Sequence, residues 1–74
     1  MQITVKLFAT LREGRPAAET REVPAGTTVL DVVQALGVPE KDVALILVNG
    51  RHADIDHRLS EGDTLALFPP IGGG

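Results

Sequence analysis

The feature that most restricts the fold of this chain is its single stretch of helical periodicity, which begins after Thr28. The apolar positions of this stretch, spaced as in an amphipathic helix, are Val29, Leu30, Val32, Val33 and Leu36. Thr28 and Asp31 have the spacing of a capping box, with Asp in place of the usual Glu. Gly37, followed by Pro39, predicts the end of the helix. A single amphipathic helix must bury its apolar face against another layer, and here that layer must be a sheet.

Five segments with strand character surround the helix. Ile3, Val5 and Leu7 occupy alternate positions within 2–8, and this period of two predicts the first strand. The other predicted strands are 20–23, at a sheet edge, then 44–48, 51–53 and 64–68. Since every residue of 44–48 is apolar, we expect that strand to be covered on both faces or buried at the sheet centre. The order β-β-α-β-β-β predicts an α+β fold, with one helix on one sheet.

The connections between these strands contain turn residues. Asn49-Gly50 predicts a tight hairpin turn, and residues 60–63 have the composition of a turn that leads into the last strand. We expect the polar stretch 54–60 to have a single apolar anchor, Leu59.

The composition indicates one small domain, which we place at 1–74. The chain has 74 residues, 43% of them hydrophobic, and no cysteine. The lack of cysteine excludes disulfide support and fits a reducing, cytoplasmic location. The net charge of −3 and the scattered basic residues disfavour nucleic-acid binding. No apolar run approaches the length of a membrane span.

The end of the sequence predicts an extended tail, residues 68–74. Because the two prolines lack a backbone N–H, they should end the last strand. Fully extended at about 3.3–3.6 Å per residue, the chain beyond residue 68 could reach roughly 20 Å into another protein. Glycine has no Cβ, so a narrow channel could close around the tip. The residues predicted to thread into a partner are Pro69, Pro70, Ile71, Gly72 and Gly73, with Gly74 at the tip.

The α-carboxylate of Gly74 is the candidate reactive group. It is ionised near neutral pH and resists nucleophiles until it is activated. Conversion to an acyl-adenylate by a partner enzyme with ATP would make it an electrophile, and attack by a sulfur donor would then give a thiocarboxylate. Since the chain has no cysteine, no side chain could carry a transferable sulfur. The alternative is that the glycine-rich end is a disordered tail without a function.

Few other residues suggest chemistry. His52 and His57 lie in a polar region without a set of further ligands, a pattern that does not predict a metal site. Ser60 has no adjacent base and is interpreted as a turn residue.

Three motifs resemble the MoaD/ThiS family of ubiquitin-like sulfur carriers, and most of all the small subunit of molybdopterin synthase. They are Phe8-Ala9-x-Leu11-Arg12-Glu13, Val48-Asn49-Gly50 and, at the end, Leu59-x-x-Gly62-Asp63-x-Leu65-Ala66-Leu67-Phe68-Pro69-Pro70-Ile71-Gly72-Gly73-Gly74. The Phe-Pro-Pro-x-x-Gly-Gly ending is the specific part. The resemblance implies a ubiquitin-like β-grasp fold: a mixed sheet of four to five strands on one main helix, with a flexible Gly-Gly tail. In this fold the first and last strands are parallel neighbours at the sheet centre.

The resemblance also implies partners. An E1-like adenylyltransferase would use ATP to adenylate Gly74, and a sulfurtransferase or cysteine desulfurase would supply the sulfur. The molybdopterin synthase large subunit would bind the pterin substrate, cyclic pyranopterin monophosphate, and this chain would bind no cofactor itself. The cofactor produced would be that of molybdenum or tungsten. The alternatives are a carrier for thiamine thiazole or another sulfur-transfer pathway, a ubiquitin-like protein modifier, or an interaction module with an idle tail.

Phe8 and Phe68, the only aromatic residues, form the candidate partner interface. If the first and last strands are parallel neighbours, both phenylalanines end their strands at the edge where the tail leaves. Alternation places both side chains on the face away from the helix. Two interpretations remain open: the rings form an exposed docking patch, or they cap the rim of the core.

Overall fold

The computed structural model describes residues 1–70, and these residues fold into five strands, one α-helix and two short 3-10 turns. The elements are β1 (Gln2–Leu7), a first 3-10 turn (Ala9–Arg12), β2 (Ala18–Glu22), α1 (Val29–Leu36), a second 3-10 turn (Glu40–Asp42), β3 (Leu45–Val48), β4 (Arg51–His52) and β5 (Thr64–Phe68). The predicted element order is confirmed. The second strand starts at Ala18, two residues before its predicted start.

All five strands form one mixed sheet in the order β2-β1-β5-β3-β4. β1 and β5 run parallel, whereas β2, β3 and β4 join the sheet through antiparallel pairs. The parallel central pair and one covering helix are those of a ubiquitin-like β-grasp, which confirms the predicted fold class. β2 is an edge strand, also as predicted.

The ends of α1 follow from local sequence signals. The Thr28 hydroxyl accepts a hydrogen bond from the backbone N–H of Asp31 at 3.2 Å, and the backbone N–H of Thr28 donates to the Asp31 carboxylate at 2.9 Å. Both halves of the predicted capping box are therefore present. At the other end Gly37 has φ 74°, a left-handed conformation that glycine adopts at little cost. No helix within residues 1–70 is long and apolar enough to cross a membrane.

The core lies between α1 and one face of the sheet. Alternation in β1 and β5 points every second residue toward the helix, while the loops add Leu11 and Leu59. Burial of each such side chain contributes about 1.5–3 kcal/mol relative to exposure. The buried apolar residues are Ile3, Val5, Leu7, Leu11, Val29, Val32, Val33, Val38, Val48, Leu59, Leu65 and Leu67.

Two expectations about the second half of the chain are wrong. β3 is not covered on both faces: only Val48 is buried, and Leu45, Ile46 and Leu47 are partly exposed. Leu45 and Leu47 share the face of Phe68 and Ala66, which no element within residues 1–70 covers. Ile46 pairs with Leu67 on the other face and packs, partly buried, against the core. Leu59 is also not the sole anchor of its loop, because Ile55 packs against the core too.

Candidate functional site

The site is built at the end of the central strand pair. The parallel register pairs Leu7 with Leu67, so the next residues, Phe8 and Phe68, are brought side by side. The backbone N–H of Phe8 donates to the carbonyl of Leu67 at 3.2 Å and extends the contact by one residue. The two rings stack with their centroids 4.3 Å apart and their planes inclined by 8°. We call Phe8 and Phe68 the aromatic pair.

The aromatic pair lies outside the core. Phe8 is 37% exposed, the one large hydrophobic residue within 1–70 that is exposed, and Phe68 is partly exposed. Neither ring belongs to the cluster of buried residues between the sheet and α1. This placement matches the docking-patch interpretation better than a cap on the core rim. The role of the pair as a partner interface stays a prediction.

A shallow apolar depression continues from the aromatic pair along the start of the tail. β3 contributes to it because Leu45 pairs with Phe68 and the backbone N–H of Ala44 donates to the Phe68 carbonyl at 2.8 Å. We call this surface the exit groove, and its lining residues are Ala9, Thr10, Ala44, Leu45, Phe68, Pro69 and Pro70. The sequence analysis did not include Ala44 and Leu45 in the site. The apolar run 44–48 could have drawn attention to these two residues, but their position beside β5 depends on strand order.

A left-handed residue redirects the chain after Phe8. Ala9 has φ 55°, a conformation that costs a residue with a Cβ roughly 1–2 kcal/mol. The 3-10 turn that begins at Ala9 returns Leu11 to the core, where it is 3% exposed, and the Leu11 N–H donates to the Phe8 carbonyl at 3.2 Å. The Phe8 backbone is therefore held between the end of β1 and a buried anchor.

Polar side chains fix the opposite end of β5. The Asn49 amide donates to the Asp63 carboxylate at 2.8 Å, and its carbonyl oxygen accepts from the Thr64 N–H at 2.9 Å. The second oxygen of Asp63, a residue only 9% exposed, accepts from the Ser60 N–H at 2.7 Å. The two predicted turns, 49–50 and 60–63, are thus tied together. This clamp sets the register in which β5 enters the sheet.

Arg15 ties the first 3-10 turn to the end of α1. Its guanidinium donates to the carbonyl oxygens of Leu36 at 3.2 Å, Gly37 at 3.1 Å and Leu11 at 3.3 Å. A cation at a helix C-terminus is favourable, since the last carbonyls carry partial negative charge. The sequence analysis missed this residue, because Arg15 is remote in sequence from the helix it caps.

Comparison with known proteins identifies the family. A model of the ThiS family matches residues 5–74. The chain belongs to the ThiS family. No curated protein matched this ThiS-family chain in a separate comparison.

Solved structures resemble the ThiS-family chain over 96–100% of its length. SAMP1 of Haloferax volcanii is 31% identical, with a TM-score of 0.77 and 100% of each chain covered. A Pyrococcus furiosus protein assigned as subunit 1 of molybdopterin converting factor is 32% identical, with a TM-score of 0.76 and coverage of 96% of this chain and 99% of that one. Subunit 1 of the Helicobacter pylori factor, solved with subunit 2, shares the fold at 21% identity, with a TM-score of 0.68 and 100% of each chain covered.

The predicted site residues of this ThiS-family protein fall into two groups. Phe8 and Phe68 are brought together, and Pro69 and Pro70 follow them, the first partly exposed and the second exposed. The tail residues Ile71, Gly72, Gly73 and Gly74 lie outside the described residues. β5 ends at Phe68, and Pro69 and Pro70 follow it outside the strand. Within residues 1–70 no three His, Cys, Asp or Glu residues are grouped to hold a metal ion.

Proposed function

We propose that this chain is the sulfur-carrier subunit of molybdopterin synthase and that the carboxylate of Gly74 is its working group. In this proposal Gly74 is adenylated, converted to a thiocarboxylate, and then donates its sulfur to cyclic pyranopterin monophosphate. The fold presents the tail, and partner enzymes supply ATP, sulfur and the pterin pocket.

The observation that carries the proposal is the position of the tail exit. Pro69 and Pro70 continue directly from β5, which lies at the sheet centre and is paired on both sides. A strand held on both sides is a rigid base for a projecting segment. The aromatic pair and the exit groove lie beside that base and offer a partner an apolar surface next to the tail.

The chemistry needs only the carboxylate from this chain. A Gly74 carboxylate oxygen attacks the α-phosphorus of ATP, pyrophosphate leaves, and the acyl-adenylate forms on the E1-like enzyme. Hydrosulfide then replaces AMP at the acyl carbon and gives the thiocarboxylate. A persulfide on a sulfurtransferase or cysteine desulfurase would instead displace AMP to form an acyl disulfide, which a thiol reduces to the thiocarboxylate and a disulfide. The thiocarboxylate sulfur attacks a carbon of the pterin substrate and displaces an oxygen substituent from that carbon, and water then cleaves the remaining acyl–sulfur bond. The carboxylate is regenerated for another cycle.

The large subunit of the synthase is the proposed acceptor of the tail. The Helicobacter pylori relative is described as a complex of subunits 1 and 2 of molybdopterin-converting factor, and the Pyrococcus furiosus relative is assigned as subunit 1. By analogy with them, we place the large subunit against Phe8 and Phe68, with Pro69 to Gly73 threaded into it. Within residues 1–70 the exit groove is mostly apolar, so the polar pterin pocket belongs to the partner.

Intact-mass measurement tests the carrier step. The protein is incubated with an activating enzyme, ATP and sulfide, and a mass gain equal to replacement of one oxygen by sulfur is expected. The matched control is the chain without Gly73 and Gly74, which should keep its mass. An unchanged mass for the full chain under conditions that sulfurate a known carrier would contradict the proposal. Release of the added mass by the large subunit with pterin substrate, but not by a thiazole synthase, would assign the pathway.

A protein modifier is the second candidate, and SAMP1, at 31% identity over the whole of both chains, favours it. SAMP1 is described as a small archaeal modifier protein. In that role a lysine amine would attack the acyl-adenylate of Gly74, AMP and a proton would leave, and an amide bond would form in place of a thiocarboxylate. Covalent adducts of higher mass, resistant to reductant, would support this candidate. A thiocarboxylate that only the pterin system consumes would contradict it.

A further inference from the structure

Within residues 1–70 the backbone groups on the outer edge of β2 have no hydrogen-bond partner. Leu7 donates to Ala17 at 2.8 Å and Val23 donates to Met1 at 2.8 Å, so these residues form hydrogen-bonded pairs of the β1–β2 ladder. In antiparallel ladders, hydrogen-bonded and non-hydrogen-bonded pairs alternate. The even-numbered residues of β2 therefore direct their N–H and C=O groups away from β1. They are Ala18, Thr20 and Glu22, all exposed.

The side chains of β2 have a self-complementary order of charge. Glu19 and Arg21 pair with Val5 and Ile3 and share the face that carries α1. They form an ion pair at 3.2 Å, and each side chain is about one-third exposed, at 32% and 31%. Thr20 lies between them. A two-fold axis through Thr20 would therefore place Glu19 of one copy opposite Arg21 of the other.

We propose that β2 pairs antiparallel with β2 of a second copy of this chain, with the two-fold axis at Thr20. Thr20 then exchanges two backbone hydrogen bonds with Thr20 of the second copy, and Ala18 does the same with Glu22. Glu19 lies directly opposite Arg21 of the second copy in a non-hydrogen-bonded pair, the type that brings side chains closest. The result is a continuous sheet across both copies.

The charges select this register over its neighbours. A shift of two residues in one direction sets Glu19 opposite Glu19, and a shift in the other direction sets Arg21 opposite Arg21. Parallel pairing in register also aligns like charges, which is destabilising. Pro16 and Pro24 lie just outside β2 and lack the N–H needed to lengthen the ladder. The edge of β2 can therefore pair with another strand over a short stretch only, and its charges favour one register.

The pairing leaves the proposed carrier site free. Because the two β2 strands run in opposite directions, the two copies of β5 do as well, and their tail exits lie at opposite ends of the joined sheet. The aromatic pair lies at the ends of β1 and β5, and neither ring lies on the outer edge of β2 that would pair. Dimer formation and tail chemistry can therefore be measured independently.

Sedimentation equilibrium of the full chain tests the proposal through charge reversal. The wild type should form a weak dimer that populates as the concentration approaches about 1 mM. E19R and R21E each set like charges opposite one another and should raise the dissociation constant about tenfold or more. The double variant, E19R with R21E, restores opposite charges and should restore the dimer. An equimolar mixture of the two single variants should also dimerise, because each then supplies the charge that the other lacks.

Three results would overturn the proposal: a wild type that stays monomeric at about 1 mM, single variants that dimerise as well as wild type, or a mixture that stays monomeric. Circular dichroism of each variant checks that the fold is retained. Thiocarboxylate formation by E19R, measured by intact mass, should equal that of wild type. Thiocarboxylate formation depends on the tail, whereas dimer formation depends on β2. The two measurements therefore show separately whether the carrier proposal or the dimer proposal fails.

Discussion

Phe8 and Phe68 stack almost in parallel, with ring centroids 4.3 Å apart, at the point where the two central strands of the sheet end together. The stack depends on the parallel register of β1 and β5 and lies on the open face of the sheet. Phe8 is 37% exposed, and the tail starts directly after Phe68. The stack is therefore the structural feature that links the fold to the proposed carrier function.

Phe8→Ala should weaken binding of the large subunit about tenfold or more, as expected for truncation of an aromatic residue at the centre of an interface. The fold should be retained, because Phe8 lies outside the core and loses mainly a stacking contact of about 0.5–1.5 kcal/mol. Isothermal titration calorimetry measures the affinity, and urea denaturation measures stability. Gln2→Ala, an exposed change at the far end of the same strand, is the matched control. Equal affinity of Phe8→Ala and wild type would refute the interface.

Asp63→Ala should lower the free energy of unfolding by about 1–3 kcal/mol, because it leaves the Ser60 N–H and the Asn49 amide without their acceptor. Urea denaturation measures the loss. Asp56→Ala removes an exposed carboxylate from the preceding loop and should change stability by less than about 0.5 kcal/mol. Equal stability of the two variants would show that the clamp contributes nothing.

Arg15→Ala should destabilise the end of α1 by about 1 kcal/mol, because the guanidinium donates to the Leu36 and Gly37 carbonyls at the negative end of the helix dipole. Hydrogen exchange of the amides in the last turn of α1 should become faster. Arg12→Ala, at an exposed position in the neighbouring turn, should leave the exchange unchanged. Identical exchange in both variants would contradict the assignment of Arg15 as a helix cap.

Local signals in the sequence predicted most of the fold. The bounds of α1 were predictable because Thr28, Asp31 and Gly37 act on residues within one helical turn of themselves. Alternation located β1, and Asn49-Gly50 located the β3–β4 turn. Strand order is different in kind: the parallel pairing of β1 and β5 came from the family resemblance, since alternation alone does not say which strands are neighbours.

Contacts that depend on tertiary structure were the ones missed. An apolar run such as 44–48 does not reveal whether one layer or two covers it, so the burial of β3 was overstated. Asn49 was visible as a turn residue, but its bond to Asp63 exists only because β3 lies beside β5. The same strand order brings Ala44 to the exit groove. The position of the aromatic pair was predictable, because strand alternation and the parallel register of β1 and β5 are sufficient to locate it.

Removal of Gly74, or its replacement by a bulky residue, should abolish cofactor production while leaving the domain folded. Among residues 1–70 every helix and strand ends at or before Phe68, so we expect the domain to fold when the tip is changed. A Cβ at the last position would obstruct a channel built for bare backbone, and a shortened tail would stop short of the acyl-transfer centre. Complementation of cells that lack the native gene measures function, and thermal unfolding confirms the fold. Gln2→Ala is again the control, with normal complementation expected. Restoration of pterin sulfuration by the chain lacking Gly74 would contradict the proposal that its carboxylate carries the sulfur.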